Sequence, residues 1–191
     1  SFPTLLAGYS LPDAGLLAWF ALVPLFYAVR RASPVRSFLF SFAAGLVYFG
    51  GTLFWIYRAL TLYGHSSVSH GILAFAAVVA AMSAFMAFPP AIARLLESRG
   101  MGPFMLWLPA AWVAADFLRC IFPFGGFPWS SLAATQWRAL HIIQISDIFG
   151  AYGVIFLIVL VNAFLADCAE GIAKKNLRCL LPKGAVAGAL V

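Results

Sequence analysis

An acid and a base lie three residues apart in an otherwise apolar stretch, at Asp116 and Arg119. Residues at positions i and i+3 share one face of a helix, so the two side chains can form an ion pair. Pairing lowers the cost of holding each charge near lipid. We therefore favour a structural pair that fixes this helix against its neighbours. The alternative is that Arg119 binds a lipid phosphate while Asp116 orients the guanidinium.

An aromatic segment broken by proline and glycine follows the pair, reading Phe-Pro-Phe-Gly-Gly-Phe-Pro-Trp over residues 122–129. Irregular backbone in a lipid environment is tolerated only at an interface or where it lines a protein cavity. Trp129 is typical of an interfacial anchor. The functional alternative is a groove for acyl chains, lined by Phe127, Pro128 and Trp129. A second aromatic run, which holds Trp55 and Tyr57, is open to the same two interpretations.

The sequence contains no recognisable catalytic constellation. No serine stands with a histidine and an acid in a familiar arrangement, and no glycine-rich loop opens a phosphate site. The loop histidines, His65 and His70, have no carboxylate or cysteine near them, and the three cysteines form no CxxC pair. We therefore predict no metal site, no cofactor and no disulfide framework. By its residues alone the chain is predicted to be a lipid-embedded scaffold.

The elements that must position these residues are helices in a membrane. Of the 191 residues, 64% are hydrophobic and only 9% are charged. This composition predicts an all-α polytopic membrane protein, a bundle of about six to seven transmembrane helices with an interfacial loop after the fifth. The predicted helices cover residues 2–9, 16–29, 37–62, 72–88, 103–122, 150–166 and 180–191.

Details within these helices carry further predictions. Pro24 should kink the second helix, and the prolines at 89 and 90 should bend the fourth. Ser41 and Gly45 should let another helix approach the third closely. Residues 1–9 resemble the end of a helix in progress and residues 184–191 the start of another. We interpret the chain as a fragment with truncated first and last helices, a cleaved signal peptide being the alternative.

The basic residues predict the orientation. Nine of the 12 Lys and Arg residues lie in the loops after the second, fourth and sixth predicted helices. The positive-inside rule places those loops in the cytoplasm and the aromatic segments around Trp55 and Trp129 outside. Glu97 and Glu170, in or beside the basic loops, are predicted to be solvated charges. The net charge of +6 therefore indicates membrane topology rather than nucleic-acid binding.

Four segments in order resemble the membrane domain of bacterial apolipoprotein N-acyltransferases. They are Leu-Pro-Asp-Ala-Gly leading to Leu-Ala-Trp-Phe-Ala-Leu-Val-Pro-Leu (11–25), Phe-Gly-Gly with Trp-Ile-Tyr and Gly64 (49–64), Asp-Phe-Leu-Arg with Gly-Phe-Pro-Trp and Gln136 (116–136), and Gly-Ala-Tyr-Gly through Val-Asn-Ala (150–163). The sequence departs from the family's usual pattern at three positions. Asp116 stands where the family usually has Glu, Phe54 where a polar residue is common, and Ala134 where a Tyr is usual.

The resemblance implies an inner-membrane enzyme of lipoprotein biosynthesis. Such an enzyme transfers an acyl chain from a phospholipid to the α-amino group of the diacylated N-terminal cysteine of an apolipoprotein. In the family a periplasmic, nitrilase-like carbon–nitrogen hydrolase domain follows the seventh helix and carries a Glu–Lys–Cys triad. We expect that domain after residue 191. No residue of this chain is then catalytic.

Two other functions remain open from the sequence. One is a non-catalytic membrane anchor of a polyprenyl-phosphate glycosyltransferase fusion. The other is a small-solute transporter, which would show an inverted repeat with broken helices in both halves. Only one strongly broken segment is visible, so the transporter ranks last.

Overall fold

The computed structural model describes residues 14–122 and 125–173, and no β-strand occurs among them. A 3-10 helix, Ala14–Trp19, precedes the first α-helix. The α-helices are α1 (Val23–Arg30), α2 (Pro34–Thr52), α3 (Phe54–Arg58), α4 (Val68–Ser98), α5 (Phe104–Ile121), α6 (Leu140–Ile143) and α7 (Ser146–Ala173). A π-helix, Ala59–Tyr63, continues α3, and a 3-10 helix, Leu132–Gln136, precedes α6.

Helices α4, α5 and α7 are each long and apolar enough to cross a membrane. A fourth crossing is possible if α2 and the segment Phe54–Tyr63, bent by 48°, count as one span. Residues 15–30 form a shorter apolar helix. The predicted all-α membrane bundle is therefore confirmed, while the predicted first and seventh helices, 2–9 and 180–191, lie outside the described residues.

Two helix predictions were wrong at their N-termini, because serine caps extend the helices. The third helix begins at Pro34, after Ser33 accepts a hydrogen bond from the Arg36 amide at 3.4 Å. The fourth begins at Val68, after Ser67 caps it in the same way. Such caps satisfy backbone donors that have no partner within the helix.

Breaks within helices also differ from prediction. The third helix is not continuous to residue 62, because it breaks at Leu53. The preceding Thr52 hydroxyl donates to the Tyr48 carbonyl at 3.0 Å, a contact that often bends helices. By contrast, α4 remains one α-helix through Pro89 and Pro90. Pro24 lies in the first turn of α1, where a missing N–H costs little, and the break falls before it.

Close contact between α2 and α4 depends on small residues. A methyl group added at Gly45 would lie 2.9 Å from both Cα and Cβ of Ser83. The Ser83 hydroxyl bonds the carbonyl of Val79 in its own helix, at 2.7 Å. The close approach predicted at Gly45 is confirmed, and it leaves no room for a side chain.

Asn162 of α7 supports the break before α1 from within the main core. Its amide donates to the Ala18 carbonyl at 2.9 Å, and its carbonyl oxygen accepts from the Leu22 amide at 3.0 Å. The side chain is fully buried. Backbone groups that a regular helix would have paired are thereby satisfied in an apolar setting.

An ion-pair network joins the C-terminal ends of α1, α4 and α7, and we call this the charged end. Arg30 Nη1 lies 2.6 Å from Asp167 Oδ1, and Arg30 Nε donates to Glu170 at 2.7 Å. Glu97 pairs with Arg94 and accepts a hydrogen bond from the first amide of α5. The prediction that Glu97 and Glu170 are solvated charges was wrong, because both are drawn into this network. The residues in it are Arg30, Arg31, Arg94, Glu97, Asp167 and Glu170.

Candidate functional site

Asp116 and Arg119 form a buried ion pair near the C-terminal end of α5. Their relative exposures are 6% and 5%. Arg119 Nε donates to Asp116 Oδ1 at 2.7 Å, and Nη2 lies 2.5 Å from the same oxygen. A buried charge is tolerated when it is paired and hydrogen-bonded, and the i, i+3 spacing on α5 provides that pairing.

The guanidinium of Arg119 also binds the loop that follows α5. Its Nη1 donates to the Phe127 carbonyl at 3.0 Å and to the Trp129 carbonyl at 2.6 Å. A planar guanidinium presents several N–H donors in a fixed geometry, so one side chain can hold two carbonyls while pairing with a carboxylate. In this arrangement Arg119 holds the loop in place. It does so with N–H donors that binding to a lipid phosphate would also require.

The loop turns back on the end of α5 at Gly126. The Phe127 amide donates to the Arg119 carbonyl at 2.7 Å. Gly126 has φ = 87°, and a methyl group there would lie 1.9 Å from the Cys120 carbonyl oxygen. Only glycine fits this conformation and this approach. Pro123 and Phe124 of the same loop lie outside the described residues.

Ser130 is strained, because it adopts φ = 62° without being a glycine. It follows directly on the carbonyl of Trp129 that Arg119 holds. Left-handed backbone at a non-glycine residue costs free energy and often marks a functional site. Ser130 was not predicted as a site residue from the sequence, because no pattern of spacing or composition indicates it.

Trp55 and Trp129 meet at the outer surface of this end of the bundle, which we call the aromatic end. Their ring centroids are 5.7 Å apart in an edge-to-face arrangement. Both remain accessible, with relative exposures of 48% and 57%. Because of the break at Leu53, the segment that carries Trp55 does not continue along the axis of α2. The helix break and the Arg119 contacts together bring the two indoles into contact.

The other predicted lining residues have different surroundings. Phe127 packs against the smaller core cluster, whose buried members include Phe49 and Leu53. Pro128 is exposed. Tyr57 stacks near Phe54, with centroids 5.6 Å apart, and its ring lies 3.3 Å from where a Cβ of Gly71 would be. Tyr57 is thus directed at α4, while Trp55, Phe127, Pro128 and Trp129 gather around the loop.

Gln136 connects the far side of the loop to the first described element. Its amide donates to the Gly15 carbonyl at 2.8 Å, and its carbonyl oxygen accepts from the Trp19 indole at 3.2 Å. Gln136 is almost fully buried. Sequence analysis noted this glutamine only through the family resemblance, although a lone amide in an apolar stretch is itself a signal for a buried hydrogen-bonded role.

A cavity of about 50 Å³ lies beneath the loop and beside the ion pair. Its walls include Trp112, Asp116, Arg119 and Ser130, and the remainder is mostly aromatic and methionine side chains. Within residues 14–122 and 125–173, no cluster of three or more His, Cys, Asp or Glu side chains could hold a metal ion. The geometry suits contact with an apolar chain beside one fixed ion pair.

An all-helical bundle with several membrane-length apolar helices defines a multi-pass membrane protein. Its sequence matches the model of the apolipoprotein N-acyltransferase N-terminal domain over residues 4–164. The chain therefore belongs to the apolipoprotein N-acyltransferase family and corresponds to its N-terminal domain.

Individual relatives agree with the family match. A Geobacter metallireducens protein named apolipoprotein N-acyltransferase is 37% identical over 179 residues, which are 90% of this chain and 33% of that protein. A protein of the same name from Methylococcus capsulatus is 32% identical over 162 residues, 80% of this chain and 31% of the relative. The chain thus spans about a third of the length of these curated relatives.

Proposed function

We propose that this chain is the membrane domain of an enzyme that transfers an acyl chain from a phospholipid to the α-amino group of the N-terminal diacylglyceryl-cysteine of lipoproteins. The observation that carries the proposal is the match to the acyltransferase N-terminal domain over residues 4–164. The names of the relatives support a transferase, and they do not favour a glycosyltransferase anchor. Because the chain covers a third of those relatives, the substrates belong to the proposal.

The chemistry of the reaction lies in a further domain in this proposal. We expect a nitrilase-like carbon–nitrogen hydrolase domain with a Glu–Lys–Cys triad after residue 191. Cys120 and Cys168 lie on membrane-length helices, and we do not assign either of them to the triad. The task left to the described helices is to hold lipid substrates at the membrane surface beside that domain.

The aromatic end is the part of the chain proposed to hold them. The place where acyl chains meet the loop is lined by Trp55, Phe127, Pro128 and Trp129. Tyr57 supports the segment that carries Trp55, from the side that faces α4. Asp116 and Arg119 act as the structural pair that keeps Trp129 in place. Indole rings suit this position because they are apolar over most of their surface and carry one polar N–H.

The proposed orientation places the charged end in the cytoplasm and the aromatic end in the periplasm. Helix α5 runs from Phe104, whose amide bonds Glu97, to Arg119 beneath the loop. Its 18 residues span about 27 Å, close to the thickness of a hydrocarbon core. The two ends then occupy opposite surfaces of the inner membrane, consistent with the positive-inside rule.

Replacement of Trp129 by alanine in the full-length protein tests the proposed role of the aromatic end. We expect acyl transfer to a diacylated lipopeptide to fall by about tenfold or more, since loss of an aromatic hot-spot residue typically costs about 2 kcal/mol or more, and about 1.4 kcal/mol is a factor of ten in rate. Trp137→Ala is the matched control, because Trp137 is similarly exposed and stacks on Arg138 away from Trp55. Equal turnover of the Trp129 variant and wild type, at equal expression, would remove Trp129 from the site.

A further inference from the structure

Two apolar spaces lie on either side of one aromatic side chain. The inner space is the cavity of about 50 Å³ beside Asp116 and Arg119. The outer space is a groove of about 630 Å³ between α4 and α5. Phe85 of α4 and Ala115 of α5 are the two residues that line both. Since alanine contributes only a methyl group, Phe85 is the larger of the two side chains shared by both spaces.

The groove runs along most of α5 on a face rich in alanine. Its lining extends from Trp107 near the charged end to Phe122 at the loop, and Phe88 and Ile92 form its α4 side. Phe88, Ile92 and Leu118 are exposed large hydrophobic residues. In a bilayer such a face contacts lipid, whose chains are as apolar as the residues themselves.

The inner side of Phe85 is built from flexible residues. Met82 is buried in the smaller core cluster, and Met86 packs against both core clusters. Methionine is unbranched and adapts its shape to irregular contacts. Rotation of the half-buried Phe85 ring against such neighbours can join the groove to the cavity with little change in the backbone.

We propose that Phe85 is a lateral gate, past which the terminal carbons of an acyl chain of a membrane phospholipid enter from the α4–α5 groove into the cavity beneath the Arg119-bound loop. This step rests on the proposed lipid-handling function. The occupant is a lipid chain, because an α-helix about 10 Å across cannot pass an opening one aromatic side chain wide, whereas a polymethylene chain can. Trp112 and Ser130 are among the residues that line the cavity, and Ser130 directly follows Trp129 in the chain.

The test uses the full-length protein in phosphatidylcholine vesicles that contain a phosphatidylcholine with a diazirine near the end of one acyl chain. After photolysis, mass spectrometry identifies the labelled residues. We expect label on the groove residue Ile92 and also on the cavity residues Met82, Met86 or Trp112. Phe85→Ala should raise cavity labelling several-fold, and Phe85→Trp should lower it several-fold. Leu73→Ala, an exposed position on α4 that lines neither space, should leave cavity labelling unchanged.

Label confined to the groove, in both the wild type and Phe85→Ala, would overturn the proposed entry path. Efficient disulfide formation between copies carrying Ala111→Cys, with Ile92 unlabelled, would also overturn it, since the groove would then hold a second copy. Persistent labelling of Ile92 in each Phe85 variant verifies that the fold is intact. The readout requires no turnover, so a failed entry path with a Trp129-dependent acyl transfer leaves the proposed function standing.

Discussion

Arg119 shows how one side chain organises the candidate site. It is paired with Asp116 and bound to two loop carbonyls, so the loop, the helix end and the exposed Trp129 share one guanidinium. The carbonyl contacts require the chain to return over α5, and that return depends on Gly126. The site is therefore a property of the turn as much as of the charges.

Gly126→Ala is expected to disrupt this turn. The added methyl would collide with the Cys120 carbonyl at 1.9 Å, and φ = 87° is unfavourable for any residue with a Cβ. We expect a loss of unfolding free energy greater than the roughly 1–2 kcal/mol of the left-handed conformation alone. The measurement is SDS-induced unfolding from mixed micelles, followed by circular dichroism.

Gly125→Ala provides the matched comparison for that experiment. Gly125 has a similar φ of 91°, but among the described residues, its chain neighbours aside, no atom lies within 4 Å of an added methyl. Its loss should be limited to the conformational cost. Equal losses for the two variants would show that the close approach at Gly126 contributes nothing.

Part of this site could be predicted from the sequence. Spacing alone indicated that Asp116 and Arg119 share a helix face, because helix geometry is local. The carbonyl contacts of Arg119 could not be predicted, since they depend on where residues 127 and 129 return in space. The left-handed backbone conformation of Ser130 likewise depends on the folded loop, and no feature of the amino-acid composition indicates it.

At the scale of elements, the pairing of α2 with α4 sets the position of the segment Phe54–Tyr63, which carries Trp55. Gly45 brings the two helices together, and the break at Leu53 turns the following segment by 48°. The direction of Trp55 relative to Trp129 therefore depends on both features. Small-residue spacing predicted the approach, whereas the break was missed because no proline or charged residue marks it.

Gly45→Ala should destabilise the bundle. The new methyl would meet Cα and Cβ of Ser83 at 2.9 Å, and overpacking of this kind typically costs about 1–3 kcal/mol. The thermal midpoint of the purified protein in detergent is the measurement.

Gly50→Ala, on the same helix, is the control for the small-residue contact. Within residues 14–122 and 125–173, no atom beyond its own helix backbone and chain neighbours lies within 4 Å of its added methyl. The change should therefore be neutral or slightly stabilising through the better helix propensity of alanine. A midpoint for Gly45→Ala at or above that of Gly50→Ala would contradict the account of α2–α4 packing.

At the scale of the molecule, two polar assemblies lie at opposite ends of α5. The charged end joins α1, α4, α5 and α7 through Arg30, Glu97 and their partners. The aromatic end joins α3, α5 and the loop through Trp55 and Arg119. The sequence predicted the helices and the placement of basic residues, but the partners of Arg30 are distant in sequence, and two of them, Asp167 and Glu170, are more than a hundred positions away. No local pattern indicates them.

Arg30→Met is expected to be strongly destabilising. It would leave the buried Asp167 carboxylate without the guanidinium that lies 2.6 Å from it. Breaking a buried pair by removing one partner typically costs about 3–5 kcal/mol. SDS-induced unfolding measures the loss.

Two further variants sharpen the Arg30 experiment. Arg36→Met removes an exposed arginine of α2 and should cost little. Addition of Asp167→Asn to Arg30→Met should recover part of the stability, because the buried carboxylate that Arg30 contacted is then neutral. A double variant as unstable as Arg30→Met would indicate that lost packing, not the charge, explains the effect.

The central claim is that the aromatic end faces the periplasm, where acyl transfer would take place. In a cysteine-free full-length protein, His65→Cys and Arg99→Cys place single thiols on exposed residues of the aromatic and charged ends. An impermeant maleimide added to intact spheroplasts should label the first and should reach the second only after lysis. Labelling of Arg99→Cys in intact cells, with His65→Cys protected until lysis, would contradict the proposed orientation and the function built on it.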